Sequence, residues 1–117
     1  MKHTILLVDD DVTILRGYER LFRRDGWSVM RSADPVRAAP MLEGCDVVIT
    51  DWDMPNGGGL RMVSEARQAG VPVIVHSGSN KQEIEEQANA VVMSKPCSFS
   101  ELKAQAIKAI SQKGTNK

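Results

Sequence analysis

The sequence predicts an α/β protein, a doubly wound parallel sheet of five strands built in (βα)₅ order. Two observations lead there. Ile5–Val8, Val47–Thr50, Val73–His76 and Val91–Ser94 are rich in Val and Ile and lack the alternation of a half-exposed sheet, so they suit parallel strands covered on both faces. Segments with the apolar spacing of helices fall between these runs. Right-handed crossovers between parallel strands then place helices on both sides of one sheet.

Each element has its own local signal. After Ile5–Val8, Asp11 stands ready to cap a first helix whose apolar stripe is Leu15, Tyr18, Leu21 and Phe22. Arg16, Arg20, Arg23 and Arg24 lie largely outside that stripe, and Gly26 stops the helix. Ser28–Arg31 is short and more polar, as an edge strand should be. Asp34-Pro35 opens a second helix, and Pro40 removes a hydrogen bond that must kink or delay it. Val47–Thr50 follows, then Gly57-Gly58-Gly59, which lacks the Walker spacing and reads as a flexible turn into a third helix. Leu60, Val63 and Ala66 are the expected inward positions of that helix, which ends at Gly70. Asn80-x-x-Glu83 and Ser98-x-x-Glu101 are capping boxes, one after each of the last two strands. They start a short fourth helix and a longer fifth with the inward stripe Phe99, Leu102, Ala106 and Ile110. Lys113 to Lys117 reads as a frayed tail.

With 117 residues, 42% hydrophobic and 26% charged, the chain is expected to form one domain, 1–117, with a core of about residues 3–112. A domain of this size buries enough surface to fold without a disulfide or a structural metal. Cys45 and Cys97 match no zinc spacing and read as reduced core or boundary thiols. His76 reads as a packed histidine rather than a phosphate relay, and His3 as a surface residue. Apolar runs never exceed four residues, and Asp9, Asp10 and Asp11 interrupt the first of them where the core of a secretory signal would continue. The expectation is a cytoplasmic protein with no membrane insertion. Lys and Arg balance Asp and Glu at 15 each, which leaves no footprint for direct nucleic-acid binding. The balance conceals an asymmetry: residues 1–57 carry ten acidic and seven basic side chains, and residues 58–117 five and eight.

The acids that matter stand at strand ends. The first strand runs into Asp9-Asp10, the third into Asp51, the fourth into Ser77 and the fifth into Lys95. In an open parallel sheet those ends share one edge, where ligands bind. Clustered carboxylates stay ionised only with a cation among them, and oxygen ligands in this number suit Mg²⁺. A hydroxyl and a lysine would hold the remaining oxygens of a phosphoryl group, whose transfer asks mainly for positioning and charge neutralisation. One carboxylate can be the nucleophile, and Asp51, at the end of a central apolar strand, is the candidate.

These residues resemble the receiver domain of two-component response regulators, over essentially the whole chain. The resemblance is carried by Ile5-Leu-Leu-Val-Asp-Asp10, Thr50-Asp-Trp-Asp-Met-Pro-Asn56 with Gly59 following, Val75-His-Ser77 and Ser94-Lys-Pro96, and is nearest to chemotaxis-type single-domain receivers. It implies a flavodoxin-like strand order 2-1-3-4-5. It implies Asp51 as phosphoacceptor, Mg²⁺ or Mn²⁺ held directly by Asp10 and Asp51 and through water by Asp9, and the main-chain carbonyl of Asp53 as a further ligand. Ser77 takes the switch hydroxyl position, Lys95 the phosphate-binding position, and the Lys95–Pro96 peptide is implied to be cis. The implied partners are a histidine kinase or histidine phosphotransfer protein and a downstream protein target. The implied activity is that of a phosphoacceptor assisting its own phosphorylation and dephosphorylation, not a turnover enzyme. The start Met1-Lys-His-Thr reads as a native beginning, with no output domain after the fifth helix.

Two rival readings remain: a phosphorylation-dead scaffold receiver, and a haloacid-dehalogenase-type phosphatase, which also uses Asp-x-Asp, as in Asp51-x-Asp53. The order of the acidic pairs is reversed for the latter, and no room remains for a cap. The chain departs from the family pattern at Val92, where an aromatic is usual, and at Gly58, where Asp is common. The Ser77–Lys95 stretch is also shorter than usual by about one helical turn. These departures point to a local response around residues 77–90.

Overall fold

A computed structural model of the chain describes residues 2–113. Its elements are β1 (Thr4–Val8), α1 (Val12–Arg24), β2 (Ser28–Ser32), α2 (Pro35–Ala38), β3 (Val47–Thr50), α3 (Gly58–Ala69), β4 (Val73–Ser77), α4 (Lys81–Ala88), β5 (Val91–Ser94) and α5 (Phe99–Lys113). The five strands are parallel in the order β2-β1-β3-β4-β5, the doubly wound arrangement expected. Lys113, read as the start of the tail, is the last residue of α5, and 114–117 lie outside the described residues. No helix among the described residues is long and apolar enough to cross a membrane.

Local chemistry sets the boundaries. Asp11 Oδ1 accepts from the amides of Thr13 and Ile14 and caps α1. Gly26, at φ 95°, carries the chain out beyond its end. Pro40 limits α2 to a single turn, which continues as a 3₁₀ segment over Ala39–Gly44. Asn80 Oδ1 accepts from the Glu83 amide at the start of α4. At α5 the box is reciprocal: Glu101 N donates to Ser98 Oγ, and Ser98 N donates to Glu101 Oε1.

Alternation along the strands splits the core into two layers. Ile5, Leu7, Val47, Ile49 and Ile74 face α1 and α5, packing on Leu15, Phe22, Leu102 and Ala106. Leu6, Val8 and Val48 face the other way, onto Leu42, Met62 and Ala66. Beside them Val63, Val75, Ile84, Ala88 and Val92 form the layer under α4. The central strands are thus covered on both sides, and each large aliphatic side chain buried there contributes about 1.5–3 kcal/mol.

The structure corrects four expectations. Leu21 and Leu60, assigned to inward stripes, lie at the surface, and Met62 takes the buried place in α3. Val91–Ser94, read as a strand covered on both faces, leaves Val91 half exposed, at the sheet edge where the expected strand order places it. His3, read as a surface residue, is half-buried with its ring 5.2 Å from that of Trp27. The glycine run is not a flexible turn. Gly57 takes the left-handed conformation at φ 66°, but Gly58 and Gly59 are buried in contact with their surroundings. A Cβ at Gly59 would stand 2.4 Å from the backbone of Trp52, and one at Gly58 2.7 Å from Pro35 Cγ and 2.8 Å from Met54 Cβ. The start of α3 is therefore wedged against the residue that follows Asp51. The register of α3 follows from that contact, which is why Leu60 turns outward.

His76 faces the α1 layer, buried, with its ring edge-on to Tyr18 at 5.4 Å and 84°. Tyr18 in turn donates its hydroxyl to the carbonyl of Cys97 at 3.0 Å. Burial, reinforced by the Lys95 charge and opposed by that of Asp51, pushes the imidazole down to about 4. Cys45 and Cys97 are free thiols, and burial lifts Cys45 to about 11.

Three measurements test this account. Gly59→Ala should lower stability by about 3 kcal/mol in urea unfolding, because backbone cannot retreat from the added methyl. Gly17→Ala, with nothing within 4 Å of its Cβ, should raise it by about 0.5–1 kcal/mol. His76 stays neutral in the fold below the pH at which the unfolded chain binds a proton, so stability should fall as pH drops from about 6.5 to about 4. Across that window wild type should lose on the order of 3 kcal/mol more than His76→Leu.

Candidate functional site

The C-terminal ends of the parallel strands meet at one edge, and the hydrogen-bond ladder continues one step past the strands to fix their first loop residues. Asp9 N donates to Ser32 O, Asp51 N to Val8 O at 2.8 Å, and Lys95 N to Ser77 O at 2.8 Å. Three of the expected site residues are thereby held as rigidly as the sheet itself. The edge lies at the topological switch, where β2 and β3 flank β1 from opposite sides.

Asp9 and Asp51 are buried and Asp10 is exposed, and the three offer carboxylate oxygens within 4.8 Å of one another. At an effective dielectric of about 20, each such pair repels by on the order of 3 kcal/mol. Lys95 offsets this: its Nζ lies 3.0 Å from Asp9 Oδ2 and 3.3 Å from Asp51 Oδ1. Burial raises Asp9 above the usual carboxylate range, against the lowering effect of the Asp11 amide and of Lys95. Burial pulls Lys95 down, but the Asp9 hydrogen bond and the two carboxylate charges outweigh it and leave the ammonium raised. Asp51 Oδ1 also accepts from the Trp52 amide at 2.9 Å. Among the described residues no hydrogen bond reaches its Oδ2. Hard oxygens from Asp9, Asp10 and Asp51, set this close and already drawing a cation, fit the donor set of Mg²⁺.

Ser77 is fully buried at the end of β4. Its Oγ donates to Asp53 Oδ2 at 2.9 Å, and Ser79 Oγ donates to the same oxygen at 2.5 Å. Asp53 was expected to contribute through its carbonyl. Its side chain, to which the family resemblance assigns no role, ties the loop after β3 to the loop after β4, and the Ser79 hydroxyl joins it. The Lys95–Pro96 peptide is cis. Val92 points away from this edge into the layer of Val63, Val75, Ile84 and Ala88. Beside Asp10 an open depression of about 300 Å³, bordered by Asp34, Pro35, Asn56 and Arg61, leads in from solvent.

Residues 5–107 match the response regulator receiver domain family. Chemotaxis protein CheY-3 of Vibrio cholerae serotype O1 is 35% identical over 96 residues, which covers 75% of this chain and 74% of that protein. The putative two-component response regulator ARR21 of Arabidopsis thaliana is 31% identical over 90 residues, 71% of this chain but only 15% of that longer protein. Among solved structures, the receiver domain of sensor histidine kinase PA1611 from Pseudomonas aeruginosa PAO1 carries a magnesium ion coordinated in its active site cleft. It superposes with a TM-score of 0.82 at 26% identity, covering 95% of this chain and 99% of that one. The chain therefore belongs to the response regulator receiver domains of two-component signalling.

Proposed function

We propose that this receiver, one domain over 1–117, accepts a phosphoryl group on Asp51 from a histidine kinase or a histidine phosphotransfer protein. The observation that carries the reading is the state of Asp51. Its Oδ1 is held by the Trp52 amide and Lys95, while no hydrogen bond among the described residues reaches Oδ2, the oxygen that would act as nucleophile. The new bond joins that oxygen to phosphorus, the P–N bond to the donor histidine breaks, and the imidazole keeps the electron pair and takes a proton.

Asp10 and Asp51 would hold Mg²⁺ or Mn²⁺ directly, Asp9 mainly through water, and Asp53 through its main-chain carbonyl. When bound, the cation neutralises charge between these carboxylates and the phosphoryl oxygens. Lys95 then turns from Asp51 to a phosphoryl oxygen, and Ser77 donates to another. The domain acts as a cytoplasmic phosphoacceptor that assists its own phosphorylation and dephosphorylation, and it signals to a downstream protein target without contacting nucleic acid. Buried Val92 offers no aromatic side chain to swing, so the response centres on residues 77–90.

Incubation with acetyl phosphate and Mg²⁺ should add one acid-stable, base-labile phosphate to wild type, read by intact mass, and none to Asp51→Asn. The same mass gain in the variant would move the acceptor elsewhere. The Trp52 amide, bonded to Asp51, should report metal directly: its ¹⁵N–¹H resonance should shift saturably with Mg²⁺. In Asp10→Ala the affinity should fall by about ten-fold or more; an unaltered titration would remove Asp10 from the site.

A further inference from the structure

A serine hydroxyl has a single proton, and that of Ser77 is committed. Ser77 Oγ donates to Asp53 Oδ2 at 2.9 Å, Ser79 Oγ donates to the same oxygen at 2.5 Å, and Ser79 N donates to Ser77 Oγ at 3.0 Å. Together these contacts close a ring of hydrogen bonds between the loop after β3 and the loop after β4. Ser77 has no exposed surface, so water does not compete for its proton, and the acceptor is a carboxylate, the stronger kind.

Under the reading given above, a phosphoryl oxygen on Asp51 would call on that same proton. One hydroxyl cannot donate fully to both acceptors. We infer that Asp53, through its side chain, is a positioning residue set against phosphoryl binding, with Ser79 as its second strut. The ring holds Ser77 and the loop Gly78-Ser79-Asn80 in the resting arrangement, and phosphoryl binding opens it. This rests on Asp51 as the phosphoryl site and goes beyond it, because it gives the Asp53 carboxylate and the Ser79 hydroxyl a role of their own.

The inference has a sign that structural damage does not imitate. A contact present only in the resting state opposes binding by its own contribution, so removing it tightens binding. Damage to the site weakens it. The probe is beryllofluoride, a phosphoryl mimic, titrated by calorimetry at Mg²⁺ concentrations shown to saturate each variant. Ser79→Ala should bind about three-fold more tightly than wild type and Asp53→Ala about ten-fold, within the net contribution of an ordinary intramolecular hydrogen bond. Asp53→Asn keeps an oxygen that can accept from both serines but loses the charge that strengthens those bonds, and should bind with an affinity between those of wild type and Asp53→Ala. In the free Ser79→Ala protein, the amides of residues 78–80 should also exchange faster with deuterium.

Ser79 is exposed and its side chain is no part of the metal site, so that variant decides the matter. If Ser79→Ala binds beryllofluoride no better than wild type, the positioning role is overturned while Asp51 as the phosphoryl site stands. If wild type itself fails to bind, both fall together.

Discussion

Lys95 Nζ lies between the carboxylates of Asp9 and Asp51, and the rest of the molecule can be understood from what that contact requires. An ammonium and two acids from three separate strands must arrive within hydrogen-bond distance and stay there, although the acids repel each other and two of the three are buried. No local segment can do this. A parallel sheet can, because all its strands finish at the same edge and the ladder continues one residue into each loop. The apolar layers on both faces hold the strands in register, and the wedge of Gly59 against Trp52 fixes the turn immediately after Asp51. The hydrophobic core and the charged edge are thus one construction. The first supplies the rigidity that the second needs to keep like charges together.

Much of this was legible from sequence because it depends on runs and ends. Four apolar segments, each stopping at a polar residue, define the strands, and the parallel fold class then brings Asp9, Asp51, Ser77 and Lys95 to one place. Caps were equally plain, since Asp11, Asn80 and Ser98 act on amides only a few residues away. What escaped notice depends on contacts between distant segments. Helical periodicity admits more than one register for α3, and the choice that exposes Leu60 and buries Met62 comes from Gly59 meeting the Trp52 backbone. The apolar run of β5 is like that of β3 and gave no sign that Val91 would be half exposed; the strand order implied by the family resemblance, not the run itself, makes one an edge and the other central. Asp53 and Ser79 are 26 residues apart in sequence, and nothing in either neighbourhood announces that their side chains touch.

The two faces of the sheet are built differently near the site. Behind β5, Val92 fills the layer with a short, stiff side chain among Val63, Val75, Ile84 and Ala88. On the opposite face, His76 and Tyr18 meet edge to face, and Tyr18 reaches the carbonyl of Cys97, just past Pro96. Successive residues of β4 therefore belong to different environments: His76 to an aromatic and polar contact with α1, Ser77 to the ring with Asp53 and Ser79.

The end of α4 farthest from the site carries a consequence of its own. Arg67 of α3 donates to the carbonyl of Asn89, the residue that ends α4 in the left-handed conformation, and Ala88 is buried beside it. The near end hangs from Gly78-Ser79-Asn80. A helix held at its far end by this contact and by Ala88, and joined at its near end to a short loop, has its fulcrum at the far end. With about 1.5 Å of rise per residue, its eight residues form an arm of about 12 Å, so a shift of about 1 Å at the loop tilts the whole element by about five degrees. Mechanical advantage of this kind comes from where the helix is anchored, and it works for a helix this short.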